Sequence, residues 1–192
     1  MDAHDTTGWI SVYPHVHETT FDRAVRLILE HESGGRADGG LVEHPSDPGG
    51  LTKWGIALRY HPHLGRAGIL ALTMAQAAEI YRAEYWAKVR CDGMPFPVAL
   101  SVFCSAVNQG NKRAAVLIQR ASGVTDDGIV GPYTLAAIER CFARDPAGLL
   151  EEFAARRAKK YAEGNMATFG LGWMRRMMRT HTVALRAIPE EV

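Results

Sequence analysis

Cysteine is scarce in this chain: Cys91, Cys104 and Cys141 are odd in number and none belongs to a CxxC pair. That argues against a disulfide framework and against a cysteine zinc site, and the three read as reduced thiols, two of them in the core. Neither sign of charge is in excess. Lys plus Arg number 22 against 21 Asp plus Glu, a net charge of +1, so no global field marks nucleic acid or an anionic membrane surface as partner. No stretch approaches the roughly 18 apolar residues of a membrane span. The first twenty residues have neither a basic n-region nor an apolar h-region. The expectation is a chain without membrane insertion or secretory signal, made in the cytoplasm; a separate protein must then deliver it to any substrate beyond the cytoplasmic membrane. Strands alternating with helices are missing as well, and so are internal repeats, which disfavours a parallel sheet.

What is present suffices for a core: 192 residues with 47% hydrophobic content fit one ordinary domain or two small ones. After a polar lead-in over residues 1–18, Thr19 or Thr20 can cap a helix with apolar positions at Phe21, Val25, Ile28 and Leu29, ending near Gly34-Gly35. From Arg36 to Tyr60 the helical period vanishes among Gly and Pro, predicting a loop-rich lobe with a small β-hairpin. Thr73 with Gln76 forms a capping-box pattern, and further helices are expected over 97–108, 111–121, 131–143, 146–163 and 170–186. The fold class is thus mainly α, a helical bundle with a small hairpin lobe lining a cleft.

One acid stands out. Phe21, Val25, Ile28 and Glu32 are spaced by four, three and four residues, so the carboxylate continues the buried stripe of the first helix. Burial and the partial negative charge of a helix C-terminus both disfavour ionisation and raise its pKa. A carboxyl kept protonated near neutral pH is what protonating a glycosidic oxygen requires. Ser33-Gly34-Gly35 turns the backbone away without crowding it, although a Glu beside a glycine helix stop is also ordinary.

The segments Glu32-Ser33-Gly34-Gly35, Asp47-Pro48-Gly49-Gly50 and Thr52-Lys53-Trp54-Gly55-Ile56 together resemble the signature of glycoside hydrolase family 108, lysozyme-like N-acetylmuramidases found largely in bacteriophages and prophages. Val107-Asn108-Gln109-Gly110, Asp127-Gly128-Ile129-Val130-Gly131-Pro132, Thr134-Leu135 and Ala137-Ile138 resemble the peptidoglycan-binding segment that accompanies it. Ser33, where Gly is common, and Arg36, where an aromatic is usual, depart from the pattern. The resemblance implies an α+β lysozyme-like fold with a catalytic region over 19–96 and a helical peptidoglycan-binding region over 97–188, in one globule. It also implies Glu32 as catalytic acid, peptidoglycan as partner, no cofactor, and a phage endolysin that a separate membrane-permeabilising protein releases to the wall.

For the second catalytic group the candidates are Asp38, Glu43 and Asp47. Asp47 is preferred because it lies in a matched segment, though Asp before Pro is also common turn chemistry. Thr52 is a candidate for positioning water or a plain strand threonine. Trp54 and Tyr60 offer faces to sugar rings, or fill the mini-core of the lobe. Asn108 and Gln109 can hydrogen-bond glycan hydroxyl and acetamido groups, or simply end a helix. Lys53 pairs with acidic peptide stems or faces solvent. His15-Val16-His17 and His61-Pro62-His63 lack helical i, i+4 spacing and acidic partners, so no metal site is expected. His31 is expected on a helix face different from that of Glu32. In the C-terminal helix, Trp173, Met174, Met177 and Met178 are expected in the core, with the interleaved arginines facing anionic wall polymer. A lytic transglycosylase and a non-catalytic peptidoglycan-binding protein are the alternative readings, and a monomer is the default expectation.

Overall fold

The first helix, α1 (Thr20–Ser33), starts from a reciprocal cap: the Thr19 hydroxyl accepts from the Asp22 N–H at 3.2 Å, and the Asp22 carboxylate accepts from the Thr19 N–H at 3.0 Å. Two orphan donors of the first turn are satisfied in this way. Phe21, Ala24, Val25, Ile28 and Leu29 are buried, and Gly34 stops the helix in the left-handed conformation (φ 63°) with its N–H on the Glu30 carbonyl. The computed structural model describes residues 18–43 and 50–189; Asp47 and most of the polar lead-in lie outside the described residues.

The hairpin expected between residues 36 and 60 is present. Strands β1 (Thr52–Lys53) and β2 (Ile56–Ala57) pair antiparallel, Thr52 opposite Ala57 and Lys53 opposite Ile56, while Val42 bridges to Thr52 from the other side. The turn residues Trp54 and Gly55 both have positive φ, 53° and 76°, the mirror-image turn whose twist suits a two-residue hairpin. Lys53 spends its charge locally, its Nζ donating to the Leu70 carbonyl at 2.8 Å.

That carbonyl belongs to α2 (Gly65–Ala71), a helix absent from the sequence-based expectation, entered through a 3-10 turn over Pro62–Leu64. Two glycines in seven residues weaken its propensity signal, and contact with β1 holds it instead. Helix α3 (Met74–Tyr81) has the anticipated Thr73–Gln76 capping box but runs on as a single π-helical turn, Arg82–Trp86. This turn drives Trp86 into full burial, edge-on to Phe21 and Phe103 with ring centroids 5.3 Å away in each case, and its Nε1 donates to Asp92 at 2.7 Å. Each such aromatic pair contributes about 1 kcal/mol beyond area burial.

Helix α4 (Phe96–Gln109) is buried almost all round from Pro97 to Ala106, as an apolar central helix must be. Around it pack α1, α5 (Asn111–Ala121), α7 (Pro146–Ala162) and α8 (Met166–Arg186), with α6 (Pro132–Arg144) against α5 and α7. The result is the mainly α class with a small two-stranded lobe. Cys91 and Cys104 are the two buried thiols. Helix α8 begins four residues before the expected position because the Asn165 side chain caps it, accepting from the Thr168 N–H at 3.1 Å. Its buried line runs Met177, Thr180, Ala184. Trp173 and Met174 are only partly buried and Met178 is 53% exposed; one residue of helix turns by about 100°, which carries Met178 off that line and corrects the expectation that all four sit in the core.

The matched segment from Asp127 to Pro132 is held by one buried side chain. Gln119 donates to Asp127 Oδ1 (2.7 Å), the Ile129 carbonyl (3.1 Å) and the Thr134 hydroxyl (3.3 Å), and accepts from the Gly128 N–H at 2.8 Å. Replacing it by Leu leaves the buried Thr134 hydroxyl without this partner and removes three further, part-buried bonds, together costing about 2 kcal/mol or more. Gln119→Leu is therefore expected to lower unfolding free energy by at least about 2 kcal/mol in urea titration; a loss under about 0.5 kcal/mol, an ordinary surface effect, would show that the loop holds itself.

Candidate active site

Glu32 occupies the last turn of α1 with its side chain 19% exposed. From the far end of the sequence, Arg176 on α8 donates through Nη1 to Glu32 Oε1 at 2.8 Å. The same guanidinium nitrogen donates to the side-chain Oδ1 of Asn108 at the end of α4. Asn108 is in turn oriented by its own amide, whose Nδ2 donates to the Cys104 carbonyl at 2.7 Å. Three helices thus converge on one carboxylate. No hydrogen bond to Glu32 Oε2 is made among the described residues.

The hairpin closes the opposite side, and it can do so only with glycine. A Cβ on Gly55 would lie 3.0 Å from Glu32 Cγ and 2.3 Å from the Tyr81 hydroxyl. That hydroxyl donates to the Trp54 carbonyl at 3.1 Å, tying the turn to α3. Trp54 itself is held in its left-handed conformation by its N–H on the Gly39 carbonyl, 2.7 Å. A Cβ on Gly39 would strike the indole at 2.5 Å, so loop backbone covers the ring.

Two effects act on the Glu32 carboxyl in opposite directions: burial raises its pKa and the Arg176 charge lowers it. Burial is the larger, and the carboxyl titrates above the ordinary glutamate range. Tyr81 is pushed well above its usual value by burial and then by Glu32, so it stays a donor, and Tyr85 is raised by burial and by Glu84, Glu32 and Tyr60. His31 is lowered to about 4 by burial and by Arg176 and Arg179. It is a neutral ring that shares the Arg176 neighbourhood with Glu32, the residue that follows it in sequence.

Of the other sequence candidates, Asp38 and Glu43 are engaged elsewhere. Asp38 is exposed; despite an opposing desolvation effect, its carboxyl is held low by Arg36 at 2.5 Å and the Gly40 N–H at 2.9 Å. Glu43 is held low mainly by Arg66, whose Nη2 donates at 2.9 Å. Asp47 lies outside the described residues. Thr52 exchanges both backbone hydrogen bonds with Val42 at 2.9 and 3.0 Å, and Tyr60 is 71% exposed with the Arg59 guanidinium 4.6 Å from its ring centre. Asn108 is brought to Glu32 through Arg176. Gln109 turns away, its side-chain Oε1 accepting from Ser105 at 2.9 Å and from Arg157 at 3.4 Å. Arg176, Tyr81 and Tyr85 are the residues the sequence reading passed over; only the arginine rhythm of α8 pointed toward the first.

A largely buried carboxyl with raised pKa, braced by a cation and flanked by a hairpin lobe on a helical body, has the environment that acid catalysis at a glycosidic bond calls for. The comparisons make that specific. The family described as glycosyl hydrolase 108 matches residues 25–110, and the predicted peptidoglycan domain matches residues 113–178. The solved structure of Brucella abortus SagA is 32% identical, with a TM-score of 0.74 over 90% of this chain and 97% of that one. The chain belongs to the glycosyl hydrolase 108 family, with its mainly α lysozyme-like fold. No curated protein matches it.

The raised pKa has a consequence for stability whose sign is fixed. A carboxyl titrating higher in the folded state than in the unfolded chain contributes stability that is fully present below the unfolded value and is lost as pH rises through the folded one. Glu32→Gln removes this loss. The melting temperature of Glu32→Gln relative to wild type is therefore expected to rise between about pH 4 and about pH 7. A constant or falling difference in thermal unfolding would contradict the raised pKa.

Proposed function

We propose that this glycoside hydrolase cleaves the β-1,4 bond between N-acetylmuramic acid and N-acetylglucosamine in peptidoglycan, with Glu32 as general acid. The observation that carries the reading is the Glu32 carboxyl itself, mostly buried, titrating high, and held by Arg176 at 2.8 Å. The proton on Oε2 passes to the glycosidic oxygen as the C–O bond breaks, and the carboxylate left behind is stabilised by Arg176. Water adds to the oxocarbenium-like carbon and loses a proton to a second carboxylate, for which Asp47 is proposed. Thr52 is proposed to position that water. Trp54, Tyr60, Asn108 and Gln109 are proposed substrate contacts, with Asn108 acting through Arg176. Residues 19–96 form the catalytic region in this reading and 97–188 the peptidoglycan-binding region, sharing α4 as their spine.

In the cell this activity suits an endolysin-type protein of phage or prophage origin that reaches the wall through a separate membrane-permeabilising protein. No helix among the described residues is long and apolar enough to cross a membrane.

Purified sacculi treated with wild type and with Glu32→Gln test the chemistry. Wild type is expected to clear turbidity and release products with reducing N-acetylmuramic acid ends, while Glu32→Gln loses at least about a hundredfold in rate. Anhydro-muramic ends in mass spectrometry would assign a lytic transglycosylase instead. Binding without cleavage by either protein would make this a wall-binding protein, and equal rates would remove Glu32 from the mechanism.

A further inference from the structure

Beside the acid, the end of α4 opens into a second feature. Asn108, Gln109, Arg113, Lys160, Glu163 and Trp173 border a depression of about 330 Å³. It runs into another of about 530 Å³ along α5, where Lys112, Arg113, Arg120 and Lys160 supply four cations against the single carboxylate of Glu163. Gln109, Arg113, Lys160 and Glu163 border both, so the two form one trough. It begins at Asn108, one side chain from Glu32.

The charge in this trough is only partly spent. Lys160 is paired with Glu163, and Arg120 with Asp126 at 2.5 Å. Among the described residues Lys112 and Arg113 form no salt bridge; both are exposed, and Arg113 has only a 3.4 Å hydrogen bond to the Gln109 carbonyl. Lys112 is nonetheless aimed, because its stem lies against Gly128, where a Cβ would come within 3.0 Å of Lys112 Cγ. The Gln119 knot fixes that loop.

A third cation lies beneath. Arg157 is 2% exposed, yet its partners are the neutral Gln109 Oε1 (3.4 Å), Tyr161 hydroxyl (3.2 Å) and Cys104 thiol (3.6 Å). A buried guanidinium is ordinarily matched by a carboxylate. Here the two oxygen partners, Gln109 and Tyr161, both border the trough, so a negative charge lying in it would supply the missing counter-charge through them. The near end is unsuited to a sugar platform: Tyr161 and Phe169 both stack against the Trp173 indole, at centroid distances of 5.3 and 5.7 Å.

Resting on the peptidoglycan reading for the identity of the polymer, we propose that this trough takes the carboxylate-bearing peptide stem of the strand whose glycan lies at Glu32. Lys112 and Arg113 meet its carboxylates, and Arg157 adds positive potential from below. Peptide stems branch from the muramic acid residues of intact peptidoglycan, so a glycan held at Glu32 carries carboxylates along its length.

The test uses a synthetic stem tetrapeptide with free carboxylates, the same peptide with its carboxylates amidated, and the double variant Lys112→Ala/Arg113→Ala. Both residues are exposed, so the variant is expected to fold. Calorimetry is expected to show the free-acid peptide binding wild type and Glu32→Gln alike, and binding the double variant about five- to tenfold more weakly, with the difference shrinking in high salt. The amidated peptide should bind weakly to all three. In turnover, the ratio of kcat/KM on intact sacculi to that on amidase-stripped glycan strands should fall about fivefold in the double variant. Equal peptide affinity in variant and wild type, equal affinity for the amidated peptide, or an unchanged ratio would overturn the assignment. Charge-dependent peptide binding by a wild-type protein that cleaves neither substrate would uphold the trough and reject the hydrolase reading.

Discussion

The contact between Glu32 and Arg176 joins residues 144 positions apart and is the point at which α1, α4 and α8 are made to agree. A partly buried ion pair adds little net stability, because desolvation offsets much of the Coulomb attraction. Its value lies in position and proton affinity. Burial raises the pKa of the carboxyl; Arg176 draws it back without cancelling the shift. A general acid needs that intermediate condition, protonated before the reaction and tolerably stable as a carboxylate after it.

The pair in turn constrains the lobe in front of it. Gly55 approaches Glu32 and Tyr81 so closely that any side chain would collide, and Trp54 is kept in a left-handed conformation costly for a bulky residue. The Trp54 N–H on the Gly39 carbonyl and the Tyr81 hydroxyl on the Trp54 carbonyl offset that strain. The wall of the cleft is therefore built from backbone pressed against the acid, and the bulk of the indole serves to hold that backbone.

Local signals were legible in the chain. The Thr19 and Thr73 caps, the glycine stop after Ser33, the hairpin and the amphipathic placement of Glu32 each depend on residues within one or two turns of one another. The unforeseen features depend on distant ones. Helix α2 is held by the hairpin rather than by propensity, the π turn at Arg82–Trp86 exists because Trp86 fits between Phe21 and Phe103, and Arg176 looks like any surface arginine until α8 is packed. Asn108 and Gln109 show the limit most clearly. Their types allowed substrate contact or helix termination, and only packing reveals that each is an acceptor for a different arginine.

That last arrangement explains how one helix serves both matched halves of the chain. Consecutive helical residues point about 100° apart, so neighbours at the end of α4 face different partners. Asn108 accepts from Arg176 and supports the acid, while Gln109 accepts from Arg157 under the trough. Because α4 is buried almost throughout, it cannot tilt to favour one contact without disturbing the packing of α5, α7 and α8. The acid and the trough are consequently held at a fixed separation by a single rigid element, as a polymer engaging both at once would require.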